Sequence, residues 1–403
     1  MGEQGTLTTT RSGLWGVRVL VFVTFFDLFV QYPIAAPYAS ELGASAALVG
    51  LIVAAYSISN LAANVVAGFV LDRWGRFVPI LVAVVVTALV VATYAVVASP
   101  LQLLVLRILH GLAVAMLAPG AFALAGDLAH PEGRARVMGV NGAVIAVAAI
   151  IAPTFAGIMQ ERAGYDAVFL ADAAMLVVSA GILLLLRRSF ALVATQRPAD
   201  PPGSWAWTRS MRHLAGPFAT ILAFTVALGI LVTNLPERLA ALGLPASVRG
   251  AAFSLYGLIA AAIMVSPLTA RFARQRWSAA AFFGLSAIAL GLWTAGVGSA
   301  SPIVVERLTL VGAALFGLGF GLLFPAVTAE VARRAPAQAR GRAFGLFYAL
   351  YSLGVIVGAL SAGWVSEWTG VSSGWPLMAG GVVAVCASVV PLLERRAREE
   401  ATV

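Results

Sequence analysis

Apolar residues in this chain run in long blocks rather than alternating with polar ones. Twelve blocks approach or exceed the roughly 20 residues a helix needs to cross a bilayer. They lie near 17–38, 48–71, 77–99, 101–127, 136–160, 167–186, 216–236, 248–270, 277–298, 302–331, 342–364 and 375–393. Lipid accepts only helices or closed barrels, because every backbone amide must be paired within the protein. Barrel strands would alternate over about ten residues, so these unbroken runs predict an all-α membrane protein with twelve transmembrane helices.

Composition sharpens the picture without changing it. The 403 residues are 61% hydrophobic and 11% charged, against about 25% charged for a soluble domain. Every basic residue is an arginine. If the chain begins in the cytoplasm, the breaks on that side hold 21 arginines, and the opposite breaks hold only Arg162, Arg238 and Arg249. Such a bias puts both termini in the cytoplasm, with a bacterial inner membrane as the expected location. The net charge of +9 therefore reports topology. No basic stripe with interleaved aromatics suggests nucleic acid.

The first block follows Arg11 and Arg18 and continues to about Tyr38, which reads as an uncleaved span rather than a leader. Cys386 is the lone cysteine, in an apolar block without metal-ligand neighbours. Residues 187–215 carry five arginines with Pro and Gly and read as a linker. It divides the chain into 1–186 and 216–403, six spans each.

The halves resemble each other. LGASAALVGLIVAAY (42–56) aligns with LGLPASVRGAAFSLY (242–256) at an offset of 200, and Arg107 recurs as Arg307. Arg134, Arg136 and Gly139 recur as Arg340, Arg342 and Gly345. Such a repeat implies two pseudo-symmetric bundles, with substrate bound between them near mid-membrane.

The break after the second block reads GFVLDRWGR, residues 68–76. A charged loop explains its arginines but not the spacing of Gly68, Asp72, Arg73, Gly75 and Arg76. That spacing resembles the signature loop of the major facilitator superfamily, and the resemblance extends to the twelve spans, the linker and the repeat. It implies a cytoplasmic gate in which Asp72 meets the end of the eleventh helix and Arg76 meets Asp127. The second copy, SPLTARFARQR (266–276), has Ala270 in place of the acid, and Glu330 is the expected partner for its arginines.

Polar residues inside the spans are the candidate chemistry, because charge in lipid is costly and needs a reason. Asp27 lies mid-block in FFDLFVQYPIAAP, with Gln31 one turn on the same face and Tyr32 beside it. VLRILHG (105–111) resembles the superfamily's fourth-helix motif, with His110 where glutamine is usual. Arg107 and His110 share a face. Arg107 is the expected counter-ion of Asp27, since the resemblance makes the first and fourth helices neighbours; the plainer alternative has it snorkelling outward. His110 either titrates or only hydrogen-bonds. Asp172 is a further intramembrane acid without an evident partner, which either helps coupling or sits close enough to the outer surface to be hydrated; Glu306 adjoins Arg307 and can neutralise it locally. Ser57, Asn60 and Asn64 form one polar stripe, which lines a cavity or joins helices. Tyr348 and Ser352 form a shorter one. Asn141, Asn234 and Tyr256 complete the candidate cavity set, with Phe316 and Phe320, whose ladder could equally face lipid.

GVNGAVIAVAAIIAPTFAG (139–157) resembles the fifth-helix signature of the superfamily's antiporters. Gly139, Pro153 and Gly157 hold their places, while Ala148, Ala152 and Ala156 replace glycines. Small residues there let this helix press on the other half.

The expectation is a proton-coupled secondary transporter exporting a hydrophobic or amphipathic small molecule by alternating access. It needs no cofactor beyond the proton gradient, and the resemblance makes it a monomer. A facilitator or importer of a small metabolite or lipid is the first alternative; a non-transporting receptor or scaffold is the second. There is no phosphate-cradling loop, metal cluster or nucleophile–base pair to suggest an enzyme.

Overall fold

The computed structural model describes residues 2–130, 133–191, 212–267, 269, 276–298, 301–335 and 340–394. Among them there is no strand. The first crossing is α1 (Gly2–Val30) followed by α2 (Ala35–Glu41). The break between them lies where Pro37 would press its ring on the carbonyl four residues earlier. Then come α3 (Ala46–Arg73) and α4 (Phe77–Thr93). The fourth crossing is split into α5 (Pro100–Val114) and α6 (Leu117–Leu128); Pro119 stands four residues beyond the break at Ala115.

The helix α7 (Arg134–Leu185) has 52 residues. Straight, it would measure about 78 Å, far more than the roughly 30 Å hydrocarbon core. It turns at Gly164 (φ 82°, ψ 175°), a conformation that glycine alone adopts cheaply, and so supplies two crossings. A short α8 (Arg187–Ala191) follows. The second half holds α9 (Ala215–Ala241), α10 (Ala246–Val265), α11 (Trp277–Gly296), α12 (Pro302–Arg334), α13 (Arg340–Thr369) and α14 (Trp375–Ser388). Eleven helical stretches among the described residues are long and apolar enough to span a membrane. Counting α7 twice gives the twelve expected. The 192–211 part of the proposed linker lies outside the described residues.

Helices α1–α8 pack among themselves, as do α9–α14, and the groups meet mainly through α3 on α13 and the first leg of α7 on α10. The repeat survives in the backbone. Gly43 and Gly243 take matching positive φ at the ends of α2 and α9, and Gly164 and Gly370 do so at offset 206. One expected correspondence fails. Helices α5 and α12 both begin at Ser-Pro, but at offset 202, so Thr309 occupies the register of Arg107. Thr309 is buried, whereas Arg307 is exposed, on the opposite face two residues earlier. Helical periodicity explains this, since two residues turn the chain by about 200°.

The halves touch at one end and part toward the other. At the end away from the chain termini, a Cβ on Gly50 would lie 2.6 Å from the Ala359 carbonyl, and one on Gly157 2.4 Å from the Ala246 carbonyl. At the end carrying the termini, a Cβ on Gly68, Gly139, Gly142 or Gly345 would meet nothing within 4 Å. Gly139 was expected to press on the other half; in this arrangement only the distal part of that motif does so. Gly157 and Pro153 lie against Ala246 and Gly250, with Ala148, Ala152 and Ala156 fully buried beside them.

Candidate functional site

Helices α1 and α5 run antiparallel, so their polar residues meet in rungs. On the inner rung His110 Nε2 lies 3.0 Å from Asp27 Oδ2, with both side chains almost wholly buried. One turn outward, Arg107 Nη1 donates to Gln31 Oε1 at 3.4 Å and its Nε to the Ile52 carbonyl at 3.4 Å. Its guanidinium lies 4.8 Å over the Tyr56 ring. The expected direct Asp27–Arg107 pair is therefore replaced: His110, one turn deeper, reaches the carboxylate first. Arg107 is buried and does not snorkel. It spends its charge on carbonyl dipoles and an aromatic face.

His110 is held from its other side as well. Its Nδ1 lies 3.1 Å from the Tyr94 hydroxyl, and the Tyr56 ring stands edge-on at 5.1 Å. A neutral imidazole donates from Nε2 to Asp27 and accepts from Tyr94; an imidazolium donates to both. The arrangement accommodates either state by turning one hydroxyl.

Asp172, on the second leg of α7, resolves the question of its missing partner. It is fully buried, and the carboxyl group it faces is that of Asp27. Neither of its oxygens, nor Asp27 Oδ1, accepts a bond from any described N–H or O–H group. Two carboxyl groups confronting each other in a buried site are an arrangement suited to holding a proton between them. Tyr94, Tyr56 and the pairing of Asp172 with Asp27 were not apparent in the sequence, although a coupling role for Asp172 is one of the two readings it allows. Tyr94 and Asp172 come from the third and sixth crossings, and no local spacing links those to Asp27.

The polar stripe of α3 joins helices. Asn60 Nδ2 donates to the Gly111 carbonyl at 3.2 Å, and Asn64 to Asn60 at 2.8 Å. Ser57 is half-buried nearby. Asn234 is fully buried and donates to Ser366 at 3.0 Å, placing it in a helix contact rather than on an open wall. Asn141 is buried with its amide nitrogen unpartnered.

Aromatic side chains fill the junction of the halves. Tyr32 stands edge-on to Phe253 across the interface at 5.6 Å. Tyr256 is edge-on to Phe316 at 5.4 Å, and Phe224 stacks on Phe320 at 4.8 Å. The phenylalanine ladder thus turns into the protein, not to lipid. Tyr351, unmarked in the sequence, lies within electrostatic reach of Tyr32, Tyr256 and Tyr348. Tyr348 is exposed and Ser352 half-buried.

At the termini end, Arg76 Nε bonds Asp127 Oδ2 at 2.9 Å, and Gly75 takes φ 79° to turn the loop. Gly68 is open on its Cβ side and Arg73 is exposed. The side chain of Asp72 lies outside the described residues, as do Arg271 and Arg274. Glu330 binds Arg333 and Arg334 of its own helix, and Arg334 also reaches Glu394 and the His213 carbonyl.

The family profile described as Major Facilitator Superfamily matches residues 19–313 and 218–403. The chain belongs to that superfamily. It is a multi-pass membrane transporter of small molecules rather than an enzyme. Among curated relatives, the inner membrane transport protein YajR of Escherichia coli is 24% identical over 88% of this chain and 78% of that protein. Multidrug resistance protein 1 of Bacillus subtilis is 26% identical over 41% and 43% of the two chains. The rat vesicular acetylcholine transporter is 30% identical over 43% of this chain and 32% of its own. Superfamily structures share the fold. An inward-facing, occupied bacterial homologue of the lysosomal transporter Spinster superposes with TM-score 0.76 at 16% identity, covering 95% of this chain and 96% of that one. A peptide transporter (POT) superposes with TM-score 0.79 at 14% identity, covering 96% and 97%.

Proposed function

We propose that this transporter is a proton-coupled exporter of hydrophobic or amphipathic small molecules, working by alternating access with its termini and its open end in the cytoplasm. The observation carrying the reading is the fully buried Asp27–His110–Tyr94 chain with Asp172 against Asp27. A proton arriving from outside neutralises the Asp27–Asp172 pair and relaxes its hold on His110; release to the cytoplasm restores it. Substrate binds against the aromatic junction of Tyr32, Phe253, Tyr256, Phe320 and Tyr351. That wall is rich in π-faces and poor in formal charge. It suits an apolar or weakly cationic aromatic molecule and disfavours sugar phosphates or dicarboxylates, which need several inward-facing cations. The partial likeness to a named multidrug resistance protein supports the export direction. Arg76–Asp127 anchors the cytoplasmic loop from which Asp72 latches the other half when that side closes.

The test is transport in proteoliposomes under an imposed pH gradient, with a lipophilic dye as probe. Dye should move against its own gradient when protons run the other way. Asp27→Asn should abolish that movement while leaving dye exchange without a gradient. If the dye only equilibrates whatever the pH gradient, the protein is a facilitator. If Asp27→Asn pumps like the parent, the proton site is misplaced.

A further inference from the structure

Among the contacts that hold the closed end of the molecule, two are related by the internal repeat. Helix α3 begins at Ala46, and the backbone N–H of Ala47 donates to Glu367 Oε2 of α13 at 3.0 Å. Helix α10 begins at Ala246, and the N–H of Ser247 donates to Glu161 Oε2 of α7 at 3.2 Å. Ala47 and Ser247 differ by 200 positions, Glu161 and Glu367 by 206, the same offsets that relate their helices. In each case a carboxylate of one half covers the start of a helix in the other half.

Elementary helix chemistry explains why the contact works. The first four N–H groups of a helix lack internal partners, and the helix dipole favours an anion there. The N-cap of α10 is Pro245, whose side chain accepts nothing; Glu161 supplies the missing acceptor from across the interface. Arg249 Nη2 reinforces it by donating to Gln160 Oε1 at 3.2 Å, again between halves. Beneath each contact the backbones cross without side chains between them. A Cβ on Gly363 would lie 2.7 Å from the Ala46 carbonyl, and one on Gly250 2.3 Å from the Pro153 carbonyl. These crossings can act as pivots in either state. The carboxylate contacts beyond them cannot survive when this end opens.

We propose that Glu161 and Glu367 are paired gate residues that bias the transporter toward the state closed at this end, each by capping a helix of the opposite half. The proposal rests on alternating access alone, and not on which substrate or ion is carried.

The experiment is pulsed electron–electron distance measurement on the full chain in nanodiscs, without substrate, in a Cys386→Ser background. One spin-label pair, Arg162→Cys with Ser372→Cys, reads the closed end; another, Arg134→Cys with Gly345→Cys, reads the open end. All four positions are exposed. Glutamine at both gates (Glu161→Gln with Glu367→Gln) keeps size and a neutral acceptor, so folding is preserved. The expected result is a rise of about fivefold in the long-distance population at the closed end, with a matching rise of the short-distance population at the open end. Each single variant should give an intermediate shift. Asp166→Asn, an exposed carboxylate of the same region, should shift neither pair. Unchanged distributions would overturn the proposal. So would broadening at both ends together, which means loosening rather than gating, or an equal shift from Asp166→Asn.

Discussion

Gly111→Ala is the most exacting test of the candidate site, because Gly111 adjoins His110 at the tightest approach of α5 to α3. An added Cβ would lie 2.1 Å from Ser59 Oγ, 2.3 Å from the Tyr56 carbonyl and 3.0 Å from the Asn60 amide. Ordinary contact begins near 3.4 Å, so the helices must separate by a little over 1 Å. That displacement breaks the Asn60–Gly111 bond, now 3.2 Å. It also carries His110 beyond bonding range of Asp27, now 3.0 Å away. Overpacking costs about 1–3 kcal/mol, and the lost hydrogen bond adds about 1 kcal/mol. With roughly 2.1 cal/mol/K of unfolding entropy per residue over 403 residues, each kcal/mol is worth about 1.2 °C. Melting of the detergent-solubilised protein, followed by tryptophan fluorescence, should therefore fall by about 2–5 °C, and pH-driven transport should be lost. Adding Ser59→Ala should not rescue it, because the Tyr56 carbonyl remains in the way. A variant with parental melting and full transport would refute the claimed approach of these helices, and with it the positioning of His110.

Other substitutions separate chemistry from support. His110→Gln keeps a donor toward Asp27 but cannot become a cation. Dye binding should persist in a quenching titration, while transport driven by an imposed pH gradient should fall. Arg307→Gln should leave transport rates at the parental level in the same proteoliposome assay, because the repeat register gives its place to Thr309. Arg238 is buried, pairs with no carboxylate among the described residues, and donates to the carbonyls of Ala295, Val297 and Ser372 at 2.6, 3.1 and 3.1 Å. Arg238→Met should cost roughly 3–5 kcal/mol by leaving those acceptors unpaired, read as a melting shift of about 4–6 °C.

The crossings were legible because lipid enforces long apolar runs, and Asp27, Arg107 and His110 stood out because charge is rare within them. Their pairing was not legible. Arg107 and His110 share a face, and the neighbour of Asp27 depends on the axial register of two antiparallel helices, which sequence does not state. Tyr94 and Tyr56 are ordinary residues of apolar blocks until the fold turns them toward His110. The Arg107–Arg307 match misled because it is an identity of letters at the wrong helical phase. The matched Ser-Pro starts of α5 and α12, at offset 202, mark the true register of these two helices. The gate glutamates escaped notice because an acid near a helix end looks like ordinary surface charge until the opposite half's first amides are seen beside it.

The turn at Gly164 joins the leg of α7 that presses on the second half to the leg that carries Asp172. Asp27, Tyr94, His110 and Asp172 therefore all belong to one half and travel as passengers of a single rigid unit. In the proposed rocking their mutual distances stay untouched, and only the aqueous reservoir that wets them changes. Infrared bands of these acids should thus report hydration from one compartment or the other, rather than a change of neighbours.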